Sequence, residues 1–132
     1  MVLLRFRAWL KEDKEMVDVE EMHFYNGEFD FIGDAITWMC KSNDCVLMQS
    51  TGLRDKNGKE IFEDDIIAIE VEGLEAPVNA KVFCNNDTGV LMFHVFEDDE
   101  DNPMVELIED NLVSFAVIGN IWEHPELAEV KK

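Results

Sequence analysis

The sequence predicts a mainly β fold with minor α content, in the form of a small β-barrel that follows an N-terminal extension. Several runs of about five to eight residues alternate between apolar and polar side chains, and a period of two is typical of half-buried strands. Short segments rich in Gly, Asn and Asp separate these runs and predict turns. A barrel pairs its own strand edges, which favours this architecture for a compact chain of 132 residues.

The N-terminal extension is predicted to cover residues 1–45. Residues 4–10 alternate between apolar and other side chains, which predicts a half-buried strand. The polar residues 11–14 predict a turn, and residues 16–19 predict the returning strand of a hairpin. The apolar residues of 21–45 follow neither the helical nor the strand period, so two short extended pieces or a short helix both fit this segment.

The barrel is predicted to cover residues 46–132. Turns are expected at 51–52, 55–59 and 85–89, because Gly and Asn readily adopt the positive φ angles of tight reversals. Gly119 predicts a bulge in the last strand. The main strands are predicted at 46–50, 66–71, 80–84, 90–96 and 115–122.

Two segments between these strands have a different character. Residues 97–102 are predicted to form an acidic loop that ends at Pro103. Residues 104–112 fit either a helix, because apolar residues recur three and four positions apart, or another strand. No Gly/Ser-rich or Pro-rich linker divides the chain, so the extension and the barrel are expected to form one compact unit.

The charge of the chain is strongly negative. Its 30 acidic and 11 basic residues give a net charge of −19 with neutral His, and residues 61–132 carry 18 of the acids but 3 of the bases. A protein that neutralises nucleic-acid phosphates needs clustered Lys and Arg, so this balance argues against DNA or RNA binding. A negative field instead favours a partner with a basic surface and accelerates the encounter with it.

The composition also predicts a cytoplasmic protein. No window approaches the roughly 18 consecutive apolar residues of a membrane helix. The N-terminal charges lie within an apolar run rather than ahead of it, unlike those of a secretory signal. Cys40, Cys45 and Cys84 form an odd set without the spacing of a disulfide framework, which indicates a reducing compartment and buried thiols.

Three segments, Phe6–Trp9, Leu47–Ile67 and Val117–Leu127, together resemble the YopX family. These small proteins are carried mainly by phages and prophages of Gram-positive bacteria, so the resemblance places the chain in a bacterial host. It implies an SH3-like barrel preceded by an N-terminal segment, and it supplies no activity, ligand or catalytic residue. Family members often have Gly where Asp64 stands. If the backbone there requires a positive φ, Asp tolerates it better than most residues.

No metal or cofactor site is predicted. Cys40 and Cys45 could supply zinc ligands together with more distant residues, but they lack the second pair of ligands that structural zinc sites have at close spacing. The more distant candidates are Cys84, His23, His94 and His124. The segment Glu97–Asn102 offers oxygen ligands for calcium, but an EF-hand loop that begins at Asp98 would need Gly where Pro103 stands. A solvated loop is therefore expected, with weak cation binding as the alternative.

No catalytic residue is predicted, and we expect no enzymatic activity. The chain has no nucleophile elbow, phosphate-binding loop or dinucleotide fingerprint. Asp64 and Asp65 could be read as paired catalytic carboxylates. Adjacent strand residues point to opposite faces, however, so a role in a turn and the start of a strand is favoured.

The leading hypothesis is a phage-type accessory protein that binds another protein and forms a homo-oligomer. The alternative is that the charge only keeps the protein in solution. The candidate interaction surface consists of seven acidic residues: Glu97, Asp98, Asp99, Glu100, Asp101, Glu106 and Glu109.

Two further functions remain as alternatives. The acids between Glu97 and Glu109 could imitate the phosphate spacing of DNA and inhibit a host nucleic-acid-binding enzyme. Alternatively, the barrel could bind nucleic acid itself, which requires a local basic patch. The available cluster of basic residues is Arg5, Arg7, Lys11 and Lys14.

Overall fold

The computed structural model describes residues 5–26, 28–33 and 38–129, and its fold is mainly β with one short α-helix in these ranges. The predicted fold class is confirmed. In chain order the elements are β1 (Phe6–Leu10), β2 (Glu15–Val19), β3 (Glu21–Tyr25), β4 (Glu28–Gly33), β5 (Trp38–Lys41), a 3₁₀ turn (Ser42–Asp44), β6 (Cys45–Arg54), β7 (Glu60–Phe62), β8 (Asp65–Val71), β9 (Val78–Cys84), β10 (Leu91–Val95), β11 (Glu100–Pro103), α1 (Val105–Glu109), β12 (Val113–Asn120) and a second 3₁₀ turn (Pro125–Ala128).

Contacts along the chain divide it into two compact units, residues 1–50 and residues 51–132. The division falls in the middle of β6, whereas the boundary expected from the sequence lies between residues 45 and 46, one residue after β6 begins. β6 is one of the two interior strands of a four-stranded sheet with the order β2-β1-β6-β7.

The first unit begins with the predicted hairpin. β1 pairs antiparallel with β2, from Phe6 opposite Val19 to Leu10 opposite Glu15. Leu4, where the predicted strand begins, lies outside the described residues. The end of β1 differs from a half-buried strand, because Trp9 is buried as well as its neighbours Ala8 and Leu10. Successive strand residues point to opposite faces, so both faces of the strand are covered there.

The sequence leaves two alternatives for residues 21–45, namely two short extended pieces or a short helix. The described residues of this segment form extended structure and one 3₁₀ turn rather than a short α-helix: β3, β4 and β5 make an antiparallel sheet in which β4 is central. Both strand pairs contain a register shift. Such irregularities explain why neither period dominates this part of the sequence, since each shift interrupts the alternation of faces.

In the second unit, curled antiparallel strands form a half-barrel. Its five-stranded sheet has the order β11-β10-β9-β8-β12. The inward positions of β8, β9 and β10 supply a continuous apolar core together with Ile61 of β7, Met104 and the buried face of α1. The buried members of this core are Ile61, Ile67, Ile69, Ala80, Val82, Phe93, Val95, Met104 and Leu107.

The predicted turn at Thr51-Gly52 is wrong, because β6 continues through it to Arg54. Gly52 has a φ of +79° inside the strand, and the Leu53 N–H donates to Thr51 Oγ1 at 3.1 Å. The Thr51 hydroxyl in turn donates to the Ile61 carbonyl at 2.7 Å. A glycine at positive φ can therefore mark a local distortion of a strand as well as a reversal.

Three other expectations concern residues 97–119. The acidic loop is shorter than predicted, because residues 100–103 form β11, which pairs with β10. The helical alternative for 104–112 is correct, although α1 spans five residues. The predicted bulge is confirmed by a register shift between Val117 and Gly119 in the pairing of β12 with β8.

Across the described ranges, no helix has the length and apolar character that would let it traverse a bilayer.

Candidate interaction surface

Five of the seven residues of the candidate surface lie in the connection between β10 and β11 and at the start of β11, and residues 97–101 are called the acidic turn below. Antiparallel pairing places Glu100 opposite Val95 and Asp101 opposite His94, so residues 96–99 form the connection. Asp99 adopts a φ of +53°, as tight connections often require. All five acidic side chains of residues 97–101 are exposed to solvent.

His94 holds two of these carboxylates. Its Nδ1 lies 2.6 Å from Asp101 Oδ1 and its Nε2 lies 3.2 Å from Asp99 Oδ1. The ring also makes an edge contact with Phe96, with centroids 5.7 Å apart. Each ring nitrogen therefore lies within hydrogen-bond distance of one carboxylate. Asp99 and Asp101 are thus occupied within the hairpin, while Glu97, Asp98 and Glu100 extend into solvent.

Glu106 and Glu109, the remaining two residues, lie on α1. They are three positions apart and therefore neighbours on the helix surface, and both are exposed. β11 separates them from the acidic turn, and a strand of four residues spans about 10 Å. The structure therefore divides the predicted surface into two acidic groups at opposite ends of one strand, rather than a single continuous row.

Asp55 is a buried carboxylate that the sequence analysis did not single out. Its Oδ1 accepts hydrogen bonds from the N–H groups of Asn57 at 2.9 Å and Lys59 at 2.8 Å. Its Oδ2 accepts one from the Val117 N–H at 2.8 Å. Burial alone raises the pKa of this carboxyl, but these three hydrogen bonds and the Lys59 charge outweigh it, so the pKa is lowered. Asp55 therefore ties the β6–β7 turn to β12 as an anion.

Asp64 and Asp65 have structural contacts that agree with the turn role favoured from the sequence. Asp64 has a φ of +69°. A positive value was suggested by the Gly that members of the resembling family often have at this position. Its Oδ2 accepts a hydrogen bond from Trp122 Nε1 at 3.1 Å, and its carbonyl accepts one from the Ile121 N–H. Asp65 is buried and accepts from the Phe62 N–H at 2.8 Å.

Exchanging Asp64 should separate the backbone effect from the indole hydrogen bond. Both Asp64→Gly and Asp64→Ala remove the bond to Trp122, but only Gly adopts a positive φ without a steric cost. We expect the free energy of unfolding of Asp64→Ala to be lower than that of Asp64→Gly by about 1 kcal/mol. Urea unfolding of the two variants measures this difference. Equal stabilities would contradict a backbone requirement at this position.

Asn120 organises the chain after β12. This buried side chain accepts hydrogen bonds at Oδ1 from the N–H groups of Trp122 at 3.0 Å and Glu123 at 2.8 Å. Its Nδ2 donates to Glu123 Oε1 at 2.9 Å, and its own N–H donates to His124 Nδ1 at 3.3 Å. A Cβ at Gly119 would lie 2.6 Å from this His124 nitrogen, so the close approach of the tail requires glycine.

The candidate metal ligands are not brought together in the described part of the chain. No group of three or more His, Cys, Asp or Glu side chains there could hold a metal ion. Cys45 is buried and Cys84 is half-buried. The side chains of Cys40 and His23 lie outside the described part. His124 is engaged by the backbone of Asn120, as stated above.

Comparison with known proteins agrees with this fold. Residues 5–129 match the family described as YopX protein. The crystal structure of protein EF1440 from Enterococcus faecalis has a TM-score of 0.66 and 27% sequence identity, covering 98% of this chain and 100% of that one. The crystal structure of yopX from Bacillus subtilis has a TM-score of 0.65 and 19% identity, covering 95% of this chain and 98% of that one, and supports the fold. No curated protein matches the chain. Because the family match spans nearly the whole sequence, this protein belongs to the YopX family.

Proposed function

We propose that this protein is a non-enzymatic accessory protein of the phage or prophage type, which acts by binding another protein through its acidic surface. The partner presents a basic surface, and the complex forms in the cytoplasm of the bacterial host. The protein itself is a homo-oligomer in this proposal. The polar groups described above support a non-enzymatic role, because the buried carboxylates Asp55 and Asp65 are engaged by backbone N–H groups rather than directed toward a substrate.

The observation that carries this proposal is an excess of exposed carboxylates without nearby cations. From Gly73 to Val130 the sequence contains a single Lys or Arg, Lys81, whose ammonium lies over the Phe83 ring. Among the described residues, no Lys or Arg lies within ion-pair distance of the acidic turn or of the two glutamates on α1. Such a surface repels polyanions and attracts cationic proteins.

A comparison of two variants with the same net charge tests the proposal. The first replaces five exposed acids of the candidate surface by amides: Glu97→Gln, Asp98→Asn, Glu100→Gln, Glu106→Gln and Glu109→Gln. The control replaces five exposed acids elsewhere: Glu12→Gln, Asp13→Asn, Glu15→Gln, Asp18→Asn and Asp87→Asn. Each variant and the wild type are used to capture proteins from host lysate at low and high salt.

We expect the wild type and the control to retain a specific partner at low salt and to lose it as salt rises, because screening weakens contacts between exposed charges. The surface variant should lose it even at low salt. Absence of a partner at every salt concentration, or equal losses in both variants, would contradict the proposal. Retardation of single-stranded or duplex DNA by micromolar protein would instead support the nucleic-acid alternative.

A further inference from the structure

Exposed apolar side chains are concentrated in two neighbouring segments of the second unit. Leu74 belongs to the connection between β8 and β9, while Leu112 follows α1. Both are 59% exposed, and on α1 itself Val105 and Ile108 are 50% and 52% exposed. The opposite side of this helix is already buried through Leu107. Apolar residues that cluster at a surface in this way are typical of interaction sites.

Leu74 and Leu112 line the same cavity. The backbone brings the two segments together, since the Glu72 N–H donates to the Leu112 carbonyl at 2.9 Å. The cavity has a volume of about 440 Å³, and Ala76 and Pro77 form part of its wall. It is open to solvent and large enough to accept an apolar side chain from another molecule.

The rim of this cavity is acidic. Glu70, Glu72 and Glu75 line it together with the leucines. Glu70 forms an ion pair with Lys56, whose Nζ lies 3.4 Å from Glu70 Oε2. For Glu72 and Glu75, no Lys or Arg is within ion-pair distance among the residues that the structure describes. The rim therefore selects an occupant that combines an apolar side chain with flanking positive charge.

A second copy of this chain does not fit that requirement through the same face. A two-fold contact would bring the rim glutamates of both copies together, in a protein of net charge −19. Placing like charges opposite each other opposes association. The charge of the rim thus favours a foreign, basic partner.

We infer that the Leu74–Leu112 cavity is a docking site for a basic, amphipathic segment of a partner protein. An apolar side chain of that segment enters the cavity, and Lys or Arg residues beside it contact Glu72 and Glu75. This inference rests on the proposed function and adds an apolar anchor to it, at a place separate from the acidic turn of residues 97–101.

Two fluorescent peptides of equal length and charge test this inference. One is built from Lys and Leu and the other from Lys and Ser, and the binding of each is measured by fluorescence anisotropy. We expect the Lys/Leu peptide to bind about tenfold more tightly than the Lys/Ser peptide, because only leucine can fill the cavity. The combined Leu74→Ser and Leu112→Ser variant should remove this preference. The control variant, Val90→Ser with Ile118→Ser, changes two exposed apolar residues elsewhere and should keep it.

A second double variant tests the contribution of the negative charge on the rim. Glu72→Gln with Glu75→Gln should weaken Lys/Leu peptide binding by about three- to tenfold and reduce its salt dependence, because two cation contacts are lost. Glu12→Gln with Asp13→Asn removes the same charge from another surface and should leave the affinity within about twofold. Circular dichroism verifies that every variant is folded.

The possible results distinguish a failure of this inference from a failure of the proposed function. If both peptides bind with equal affinity and the leucine variant has no effect, the docking site is overturned while an acidic binding surface stands. If neither peptide binds at low salt, the proposed function fails as well. If the leucine variant dissociates the protein in sedimentation equilibrium but leaves peptide binding unchanged, a second copy occupies the cavity and the inference is overturned.

Discussion

Replacing Asp55 by alanine is expected to lower the free energy of unfolding by about 3–5 kcal/mol, since three hydrogen bonds to a carboxylate are lost at once. Two of the donors lie in the β6–β7 turn and the third is the Val117 N–H of β12. Alanine removes the side-chain link between β12 and this turn and leaves the backbone hydrogen bond from the Lys56 N–H to the Phe115 carbonyl. Urea unfolding followed by circular dichroism measures the change.

The control for this substitution is Asp87→Ala, which removes an exposed aspartate from another turn. Its effect should stay within about 0.5 kcal/mol. A loss of similar size in both variants would contradict the role assigned to Asp55.

The pH dependence of stability provides a readout specific to the Asp55 anion. Its pKa is lowered in the folded protein, whereas in the unfolded chain it is near the ordinary value of about 3.9. The stabilisation is therefore complete above that value and is lost as the pH falls through the folded pKa. The difference in stability between the wild type and Asp55→Asn should be constant at neutral pH and decrease in acid. A difference that is independent of pH down to the acid transition would exclude this anion as its source.

Replacing Asn120 by alanine is expected to cost about 2–3 kcal/mol of unfolding free energy, because two backbone N–H groups lose their acceptor and Glu123 loses a donor. The loss should be greatest at the turn after β12, where the backbone of Trp122 is held. Chemical denaturation measures the global effect, and hydrogen exchange of the Trp122 and Glu123 amides measures the local one.

Two comparisons make this result specific to the hydrogen bonds of Asn120. Asn86→Ala removes an exposed asparagine and should be nearly neutral. Asn120→Asp keeps both acceptor bonds to the backbone but places a second carboxylate beside Glu123, so its stability should fall between those of the wild type and the alanine variant. Faster amide exchange without a change in global stability would limit the role of Asn120 to the turn.

Local sequence patterns were sufficient where neighbours along the chain decide the structure. The hairpin of residues 6–19 follows from alternation and a polar turn, and the bulge near Gly119 follows from glycine within an apolar strand. The positive φ of Asp64 was suggested by the family's preference for glycine there. The association of glycine with turns was insufficient at Gly52, because a positive φ is compatible with both a turn and a distorted strand.

The polar contacts in the second unit could not be predicted in this way. Asp55 and Val117 are separated by 62 residues, and Asp64 and Trp122 by 58. Both contacts join segments that carry the resemblance to the YopX family. A hydrogen bond depends on distances of about 3 Å in space, and sequence spacing does not supply them across such separations. These segments of the family pattern therefore have a clear role in holding the second unit together.

The sequence by itself determined the β class, the excess of negative charge and the family, because alternation, composition and motif order are properties of the chain alone. The tertiary structure decided which carboxylates are buried anions, and how the acidic residues from Glu97 to Glu109 are divided by β11. It also decided that Leu74 and Leu112 share a cavity. Burial and proximity arise only when distant segments pack together, so no local pattern specifies them.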